Sequence, residues 1–351
     1  MKKILSRDLP VRCCYDSSLW LNPEIKHLLD ERRIELFDLS TRSLERIVED
    51  ENVNVMFVSA NVTRGNRLHS VKCKIVGTIH GLRAFETPWD SDFFNYRATP
   101  IVRLKEIMKH VFSRWYKKRI KKIIMRLLSN PNVKIVTVSN HSASSFKCFF
   151  PEIPNLSIPV FYSPSTSVIN TTNRKYHEKY FLMVSANRSY KNNLRAIRAL
   201  DNLFSYGYAS DIQVKVTGVI GPESFHYKIR NKDKFEFVGF VDERELDQLY
   251  HDAYCFIYPS LNEGFGYPPL EAMHYGIPIL SSPFSSIPEV CGGNVLYFNP
   301  FSVEEIMNRI LQILDGNVHA MYSRLAKERY EIITKRQNED LDKLIDYIYD
   351  I

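Results

Sequence analysis

No apolar run in this chain approaches the roughly twenty residues that a bilayer-spanning helix needs. The chain opens on Lys2 and Lys3 without an apolar stretch behind them, so no secretory leader is expected and the protein is expected to be soluble or peripheral. Six cysteines, Cys13, Cys14, Cys73, Cys148, Cys255 and Cys291, have neither metal-ligand spacing nor the density of a disulfide framework. They read as reduced thiols of a cytosolic protein. A Walker loop is missing, which argues against phosphoryl transfer from ATP. Asp90-Ser91-Asp92 has the spacing of a known metal motif, but it stands in an aromatic loop with Trp89, Phe93, Phe94 and Tyr96. No other cluster of metal-ligand type accompanies it, so no metal is expected. Internal repeats and low-complexity segments are absent. Glycine is scarce at the front, with none before Gly65.

What is present fits two packed lobes. The 351 residues exceed the usual size of one core, and 44% apolar with 13% aromatic content is ample to fill two. Short apolar runs alternate with helical patterns, as parallel α/β units require. Strands are expected at 34–39, 53–58, 74–79 and 133–138, with helices at Pro23–Arg33 and Leu44–Asp50. Residues 151–178 lose periodicity and are rich in Pro, Ser, Thr and Asn, a linker composition. Beyond them, strands are expected at 180–184, 214–218, 235–239 and 255–258, with a helix at 192–204. A further strand is expected at 277–282, its register continued through 287–290 and 296–300. This alternation predicts two doubly wound lobes with a ligand cleft at the carboxyl ends of their strands.

The densest chemistry lies in Glu263–Leu280, EGFGYPPLEAMHYGIPIL. Gly264 and Gly266 allow close approach to the backbone. Pro268 and Pro269 suit the first turn of a helix, whose free N–H groups and dipole favour an anion. Glu263 precedes that turn and Glu271 follows it, so two carboxylates flank one phosphate-receiving loop. That combination suits a nucleotide-sugar; a glycine-proline turn leading into a buried helix is the plainer alternative.

Gly264-Phe265-Gly266, Pro268, Leu270-Glu271-Ala272-Met273, Gly276-Ile277-Pro278 and Pro288-Glu289-Val290 follow Glu263 in order. The pattern resembles the C-terminal half of the retaining glycosyltransferases of family 4. The resemblance implies a GT-B fold of two Rossmann-like lobes with an interdomain cleft. The expected division is 1–165 for an acceptor-side lobe and 166–337 for a nucleotide-sugar lobe, with a final helix at 338–351 crossing back to the first. It is specific over 180–300, looser over 74–150 and poor before residue 50. The front of the chain lacks the glycine-rich loop usual in the family.

The resemblance also implies roles. Glu263 would contact donor-sugar hydroxyls and Glu271 those of the ribose. The N–H groups of Phe265 and Gly266 would meet donor oxygens, and Gly239 and Phe240 would line the base pocket through main-chain groups. In Ser185–Asn192, Arg188 and Lys191 make a plausible diphosphate clamp in their own right. The resemblance supports Lys191 there, with Asn187 an alternative to Arg188 at the usual arginine place. His80, at the end of a buried strand before Gly81, would contact the transferred sugar; a hydrogen-bonded turn residue is the ordinary alternative. Ser139 reads both as a site residue and as a helix N-cap. Glu289 reads both as a cleft residue and as an acceptor for a loop amide.

Arg103–Arg126 carries ten Lys/Arg against one acid, Glu106. Its apolar residues Leu104, Met108, Val111, Trp115, Ile120, Ile123, Ile124 and Leu127 recur at helical steps. A basic amphipathic segment with Trp reads as a contact for an anionic membrane surface. A core-facing helix with a solvated basic back is the alternative, and no nucleic-acid motif accompanies the charge.

The expected activity is transfer of a hexose-like unit from a nucleoside-diphosphate sugar to a hydroxyl of a cell-surface glycan or lipid-linked precursor. Retention of configuration, no cofactor or metal, and a cytoplasmic site at the inner membrane face are expected with it. A sugar-nucleotide epimerase or hydrolase of the same fold, and a degenerate sugar-nucleotide-binding partner of another transferase, are the alternatives.

Overall fold

The computed structural model describes residues 2–18, 21, 23–59, 68, 71–97, 99–164 and 179–351. Gly65, the second half of the linker-like stretch (165–178) and the lobe boundary expected at 165/166 lie outside the described residues. The chain divides into two compact units, residues 1–79, 123–136 and 342–351 in the first, and 80–122 and 137–341 in the second.

In the first unit, β1 (Cys13–Tyr15) pairs in parallel with β2 (Leu36–Asp38). A second parallel ladder places β4 (Lys74–Thr78) between β3 (Val55–Val58) and β5 (Val133–Val136). Ile75 and Val76 of β4 are buried, as expected of the middle strand in a parallel ladder. Helix Leu44–Asp50 forms as read, because Ser43 caps it by accepting the Arg46 N–H and Leu44, Ile47 and Val48 share its buried face. The chain's last residues join this unit through ion pairs of Asp342 with Lys3 (2.7 Å) and of Asp346 with Arg7.

The second unit is built on six parallel strands: β6 (Tyr180–Met183), β7 (Gln213–Thr217), β8 (Phe235–Gly239), β9 (Cys255–Tyr258), β10 (Ile279–Ser281) and β11 (Leu296–Tyr297). Their spatial order is β8-β7-β6-β9-β10-β11. The order reverses between β6 and β9, which is the topological switch point of a doubly wound sheet. Both faces are covered, so β6 and β9 are apolar throughout and fully buried. Helix Asn193–Ser205 packs Leu194, Ile197, Leu200 and Leu203 into one layer with Val214 and Ile306. Leu270 and Met273 of helix Tyr267–His274 pack into the other with Phe256 and Ile279. Each such fully buried aliphatic side chain contributes about 1.5–3 kcal/mol.

Three elements differ from the sequence expectation. Residues Ile287–Cys291 form a short helix rather than extended chain, with Pro288 tolerated in its first turn. The final helix starts far earlier and runs Gly316–Tyr349. The basic stretch is two helices, Pro100–Val111 and Ser113–Leu128, separated at Phe112. None of the helices among the described residues is long and apolar enough to cross a membrane.

Candidate functional site

The loops that leave β6 and β9 meet at the switch point, and they carry Lys191 and Glu263. After β6 the chain makes a short 3-10 turn at Ser189–Lys191, then Asn192 takes a left-handed conformation (φ 58°) to open helix Asn193–Ser205. The Asn192 side chain holds that shape by donating to the carbonyls of Pro259 (3.2 Å) and Pro300 (2.7 Å). The Leu261 N–H donates to the Tyr190 carbonyl at 2.8 Å, which ties the two loops together.

Lys191 is only 5% exposed and Glu263 only 8%. The Lys191 Nζ donates to Glu263 Oε1 at 2.7 Å and to the Tyr258 hydroxyl at 2.8 Å. The Ser260 hydroxyl donates to the same carboxylate oxygen. From the other side, the Glu263 N–H donates to Ser285 Oγ (2.7 Å), and Ser286 Oγ donates to the Glu263 carbonyl (3.0 Å). A buried ion pair with this many hydrogen bonds is held in one geometry, as a preorganised site requires. Burial raises the Tyr258 phenol well above its ordinary value, with the Glu263 charge adding to it, so Tyr258 is a neutral donor and acceptor.

Past Glu263 the chain turns through Gly264 to Gly266, whose φ of +113° is the conformation that glycine adopts without strain. Helix Tyr267–His274 begins there with prolines in its first turn and Glu271 on its second. Burial raises the Glu271 carboxyl above its usual range; the neighbouring Tyr250 hydroxyl and Lys191 charge pull it partly back.

His80 comes to the same loop. A Cβ on Gly264 would overlap the His80 carbonyl, so only glycine permits the approach. Ser142 Oγ donates to the His80 carbonyl (3.1 Å) and Ser139 Oγ to that of Gly264 (2.7 Å). Ser139 is also the N-cap of helix Asn140–Phe149, accepting the Ser142 N–H, so the N-cap reading of its position holds. Glu289 has the structural role: its carboxylate accepts the N–H groups of Asn140 (2.8 Å) and His141 (2.9 Å) and the Tyr162 hydroxyl (2.6 Å).

Arg188 is exposed and donates to the Tyr190 hydroxyl at 3.3 Å. Phe265 is buried with its ring against Tyr162 and Tyr267. Gly239 and Phe240 lie at the end of β8, an edge strand separated from β6 by β7. The Gly239 N–H and carbonyl are both taken up by Val219 and Gly218, and the Phe240 side chain is 81% exposed.

The sequence reading missed two residues of the turn after His80. Glu86 accepts from the Asn262 amide at 2.7 Å, beside Glu263. Burial works against this carboxylate, yet His141, Ser145 and Asn262 together hold its pKa below the usual range. Arg83 lays its guanidinium over the Tyr190 ring, 3.9 Å from the centroid. An arginine three residues past a strand-end histidine carries no motif by itself.

Asp90 and Asp92 are committed to arginines. Asp90 takes a two-pronged contact from Arg195 (2.6 and 2.7 Å), and Asp92 pairs with Arg198 at 2.9 Å. Among the described residues no group of three or more His, Cys, Asp or Glu side chains is placed to hold a metal ion.

A doubly wound parallel sheet with a glycine turn into a helix N-terminus and a buried Lys–Glu pair at its switch point is the architecture of a Rossmann-like lobe of the GT-B fold. Residues 167–332 match the family described as glycosyl transferases group 1. The fold is shared with a solved glycosyltransferase of Rickettsia africae (TM-score 0.62, 16% identity, 94% of this chain and 88% of that one). It is shared also with Anabaena Alr3699/HepE, solved in complex with UDP and glucose (TM-score 0.66, 14% identity, 95% and 91%). In sequence the chain is similar to O-antigen chain mannosyltransferase RfbU of Salmonella typhimurium, 30% identical over 212 residues, 58% of this chain and 59% of that protein. It is similar too to O-antigen chain mannosyltransferase B of Escherichia coli, 45% identical over 81 residues, 23% of this chain and 21% of that protein. The chain thus spans less than two thirds of the length of these two curated relatives.

Proposed function

We propose that this protein is a retaining glycosyltransferase of family 4 that moves a hexose-like unit from a nucleoside-diphosphate sugar to a hydroxyl of a cell-surface glycan or lipid-linked precursor. The similarity to two O-antigen chain mannosyltransferases favours mannose as the unit. The observation that carries the reading is the buried Lys191–Glu263 pair at the switch point, beside the turn into helix Tyr267–His274. In this reading Lys191 and Arg188 receive the donor diphosphate, with the N–H groups of Phe265 and Gly266 aimed at donor oxygens. Glu263 accepts from sugar hydroxyls, Glu271 from the ribose, and His80 lies against the transferred sugar. Gly239 and Phe240 remain candidates for the base pocket.

The bond from the anomeric carbon to the phosphate oxygen breaks through an oxocarbenium-like transition state, and the acceptor oxygen bonds to the same face. The acceptor proton passes to the departing phosphate, so no separate protein base is needed. Cations placed where charge develops are worth on the order of 10²–10³ in rate for a single donor removed. The experiment is a panel of nucleotide-sugars in a thermal-shift assay, followed by transfer from the best ligand. A ligand at a hundred times its Kd stabilises by about 2.7 kcal/mol. A panel without any stabilising nucleotide-sugar would refute the reading.

We expect catalysis without a divalent ion, because lysine, arginine and a helix N-terminus supply the counter-charge. Transfer should survive thorough chelation with EDTA. Loss that Mg²⁺ or Mn²⁺ restores would contradict the site. The second reading is a partner that binds sugar-nucleotide without turning it over. Tight donor binding with neither transfer nor hydrolysis would establish that one instead.

The two basic helices favour a cytoplasmic protein held at an anionic membrane surface. Leu104, Met108, Val111 and Trp115 are 49–66% exposed, whereas Ile124 and Leu127 further along are buried. The apolar stripe therefore divides, its first half facing solvent among Arg103, Lys105, Arg114 and Lys118. Each basic group near such a surface adds about 1 kcal/mol. Binding to vesicles with anionic lipid is expected, weakened by salt and by changing Lys117, Lys118, Lys121 and Lys122 to Glu. Equal partition onto neutral and anionic vesicles, or none onto either, would remove the membrane from the reading.

A further inference from the structure

Lys191 is a poor sole anchor for a diphosphate, because its charge is already matched by Glu263 at 2.7 Å. A nucleoside diphosphate brings more than one negative charge, so the donor loop needs cations that no carboxylate has claimed. Two stand there, both on the Tyr190 ring. Arg188 donates to its hydroxyl at 3.3 Å, and Arg83 lies over its face at 3.9 Å from the centroid. Among the described residues neither guanidinium is in ion-pair contact with a carboxylate, whereas Arg195 and Arg198, one turn further on, each have an aspartate. Two like charges gathered on one phenol, with no acid between them, are arranged for an anion supplied from outside.

The placement of Arg83 is built. It opens the four-residue helix Arg83–Glu86, whose other end is fastened by Glu86 to Asn262 (2.7 Å). Phe85 packs its ring against Phe149 and Phe150, and its carbonyl accepts from Lys117 at 3.3 Å. Tyr190 is fixed in turn by its carbonyl, which accepts the Leu261 N–H. An arginine held over the face of an aromatic ring by its charge does not use its N–H donors there, and their fork matches two phosphate oxygens. We propose that Arg83 is a diphosphate-binding residue of the donor site, supplying from the turn after His80 the unmatched charge that Lys191 does not. This rests on the reading of the Lys191 loop as the donor-phosphate site.

The test uses the full chain and its Arg83→Met and Arg83→Lys variants, with calorimetric Kd values for three probes. These are inorganic pyrophosphate, the best-binding nucleoside diphosphate among GDP, UDP, ADP and dTDP, and the matching nucleoside. Arg83→Met should weaken pyrophosphate and the nucleoside diphosphate about tenfold and leave the nucleoside unchanged, with Arg83→Lys recovering part of the loss. Unchanged diphosphate affinity would overturn the proposal. So would an equal loss for nucleoside and diphosphate, which marks a packing role on Tyr190. Lys191→Met is the control on the underlying reading. If the wild type binds neither pyrophosphate nor any of the diphosphates, or if Lys191→Met binds them as well as wild type, the donor-phosphate site itself fails, and Arg83 with it.

Discussion

Lys191→Met should abolish transfer to within a few parts per thousand of wild type while costing the fold about 3–5 kcal/mol. The rate loss is that of removing a charge aimed at the leaving group, on the order of 10²–10³. The stability loss follows from burial: Glu263, 8% exposed, would lose the ammonium that lies 2.7 Å from it and be left buried without its ion-pair partner. The two effects separate in a double variant. Lys191→Met with Glu263→Gln removes both charges and leaves an amide that Ser260 and Tyr258 can still satisfy, so denaturant stability should return most of the way to wild type. Activity should not return. A double variant that regains transfer would show that the pair serves the fold alone.

Glu271→Gln should lower affinity for the nucleotide-sugar ten- to a hundredfold without lowering the melting temperature of the free protein. Hydrogen bonds to a charged acceptor are worth about 1.5–3 kcal/mol, and an amide of the same shape forfeits much of that. Stability moves the other way because burial raises the Glu271 carboxyl in the folded state. A carboxyl whose folded value lies above its unfolded one is protonated more readily when folded. It therefore loses stability as pH rises through that window, and a neutral glutamine is spared the loss. Wild-type donor affinity should accordingly fall on acidification at a higher pH than an ordinary glutamate would give, and the variant's should not. A flat wild-type pH profile, or unchanged donor affinity in a folded variant, would remove Glu271 from the site.

Strands β8 and β9 and helix Leu44–Asp50 were readable to the residue, because each is a compact apolar or amphipathic run with clear ends. Strand β1, Cys13–Tyr15, was not, since three residues without a β-branched side chain make no period. The start of helix Gly316–Tyr349 was hidden for a related reason. Its apolar residues are spread around the axis among Arg, Lys and Glu, so no single stripe marks where it begins. Residues Ile287–Cys291 read as extended because a Pro-Glu-Val run is too short to show a helical step. At the site, Glu263, Glu271 and Gly266 announced themselves by spacing within eighteen residues of sequence. That Lys191 would meet Glu263 depended on strand order, which local pattern does not contain. Arg83 and Glu86 depended on it twice over, since they reach this sheet from more than a hundred residues away.

The turn that follows Asp90 has a consequence for anyone exchanging parts between relatives. Tyr96 is buried in the core beneath helix Asn193–Ser205, its hydroxyl accepting the Leu194 N–H at 3.1 Å and its ring set edge-on to Phe225. The backbones of Asn95 and Arg97 bond on either side of Phe225, to His226 and Ser224. Arg195 reaches back to Asp90. A chimaera cut only at the linker would bring a foreign Tyr96 equivalent, and foreign aspartates, onto this helix. The transplantable piece is discontinuous: the six-stranded half has to travel together with residues 80–97, or it arrives with an opened core and two stranded arginines.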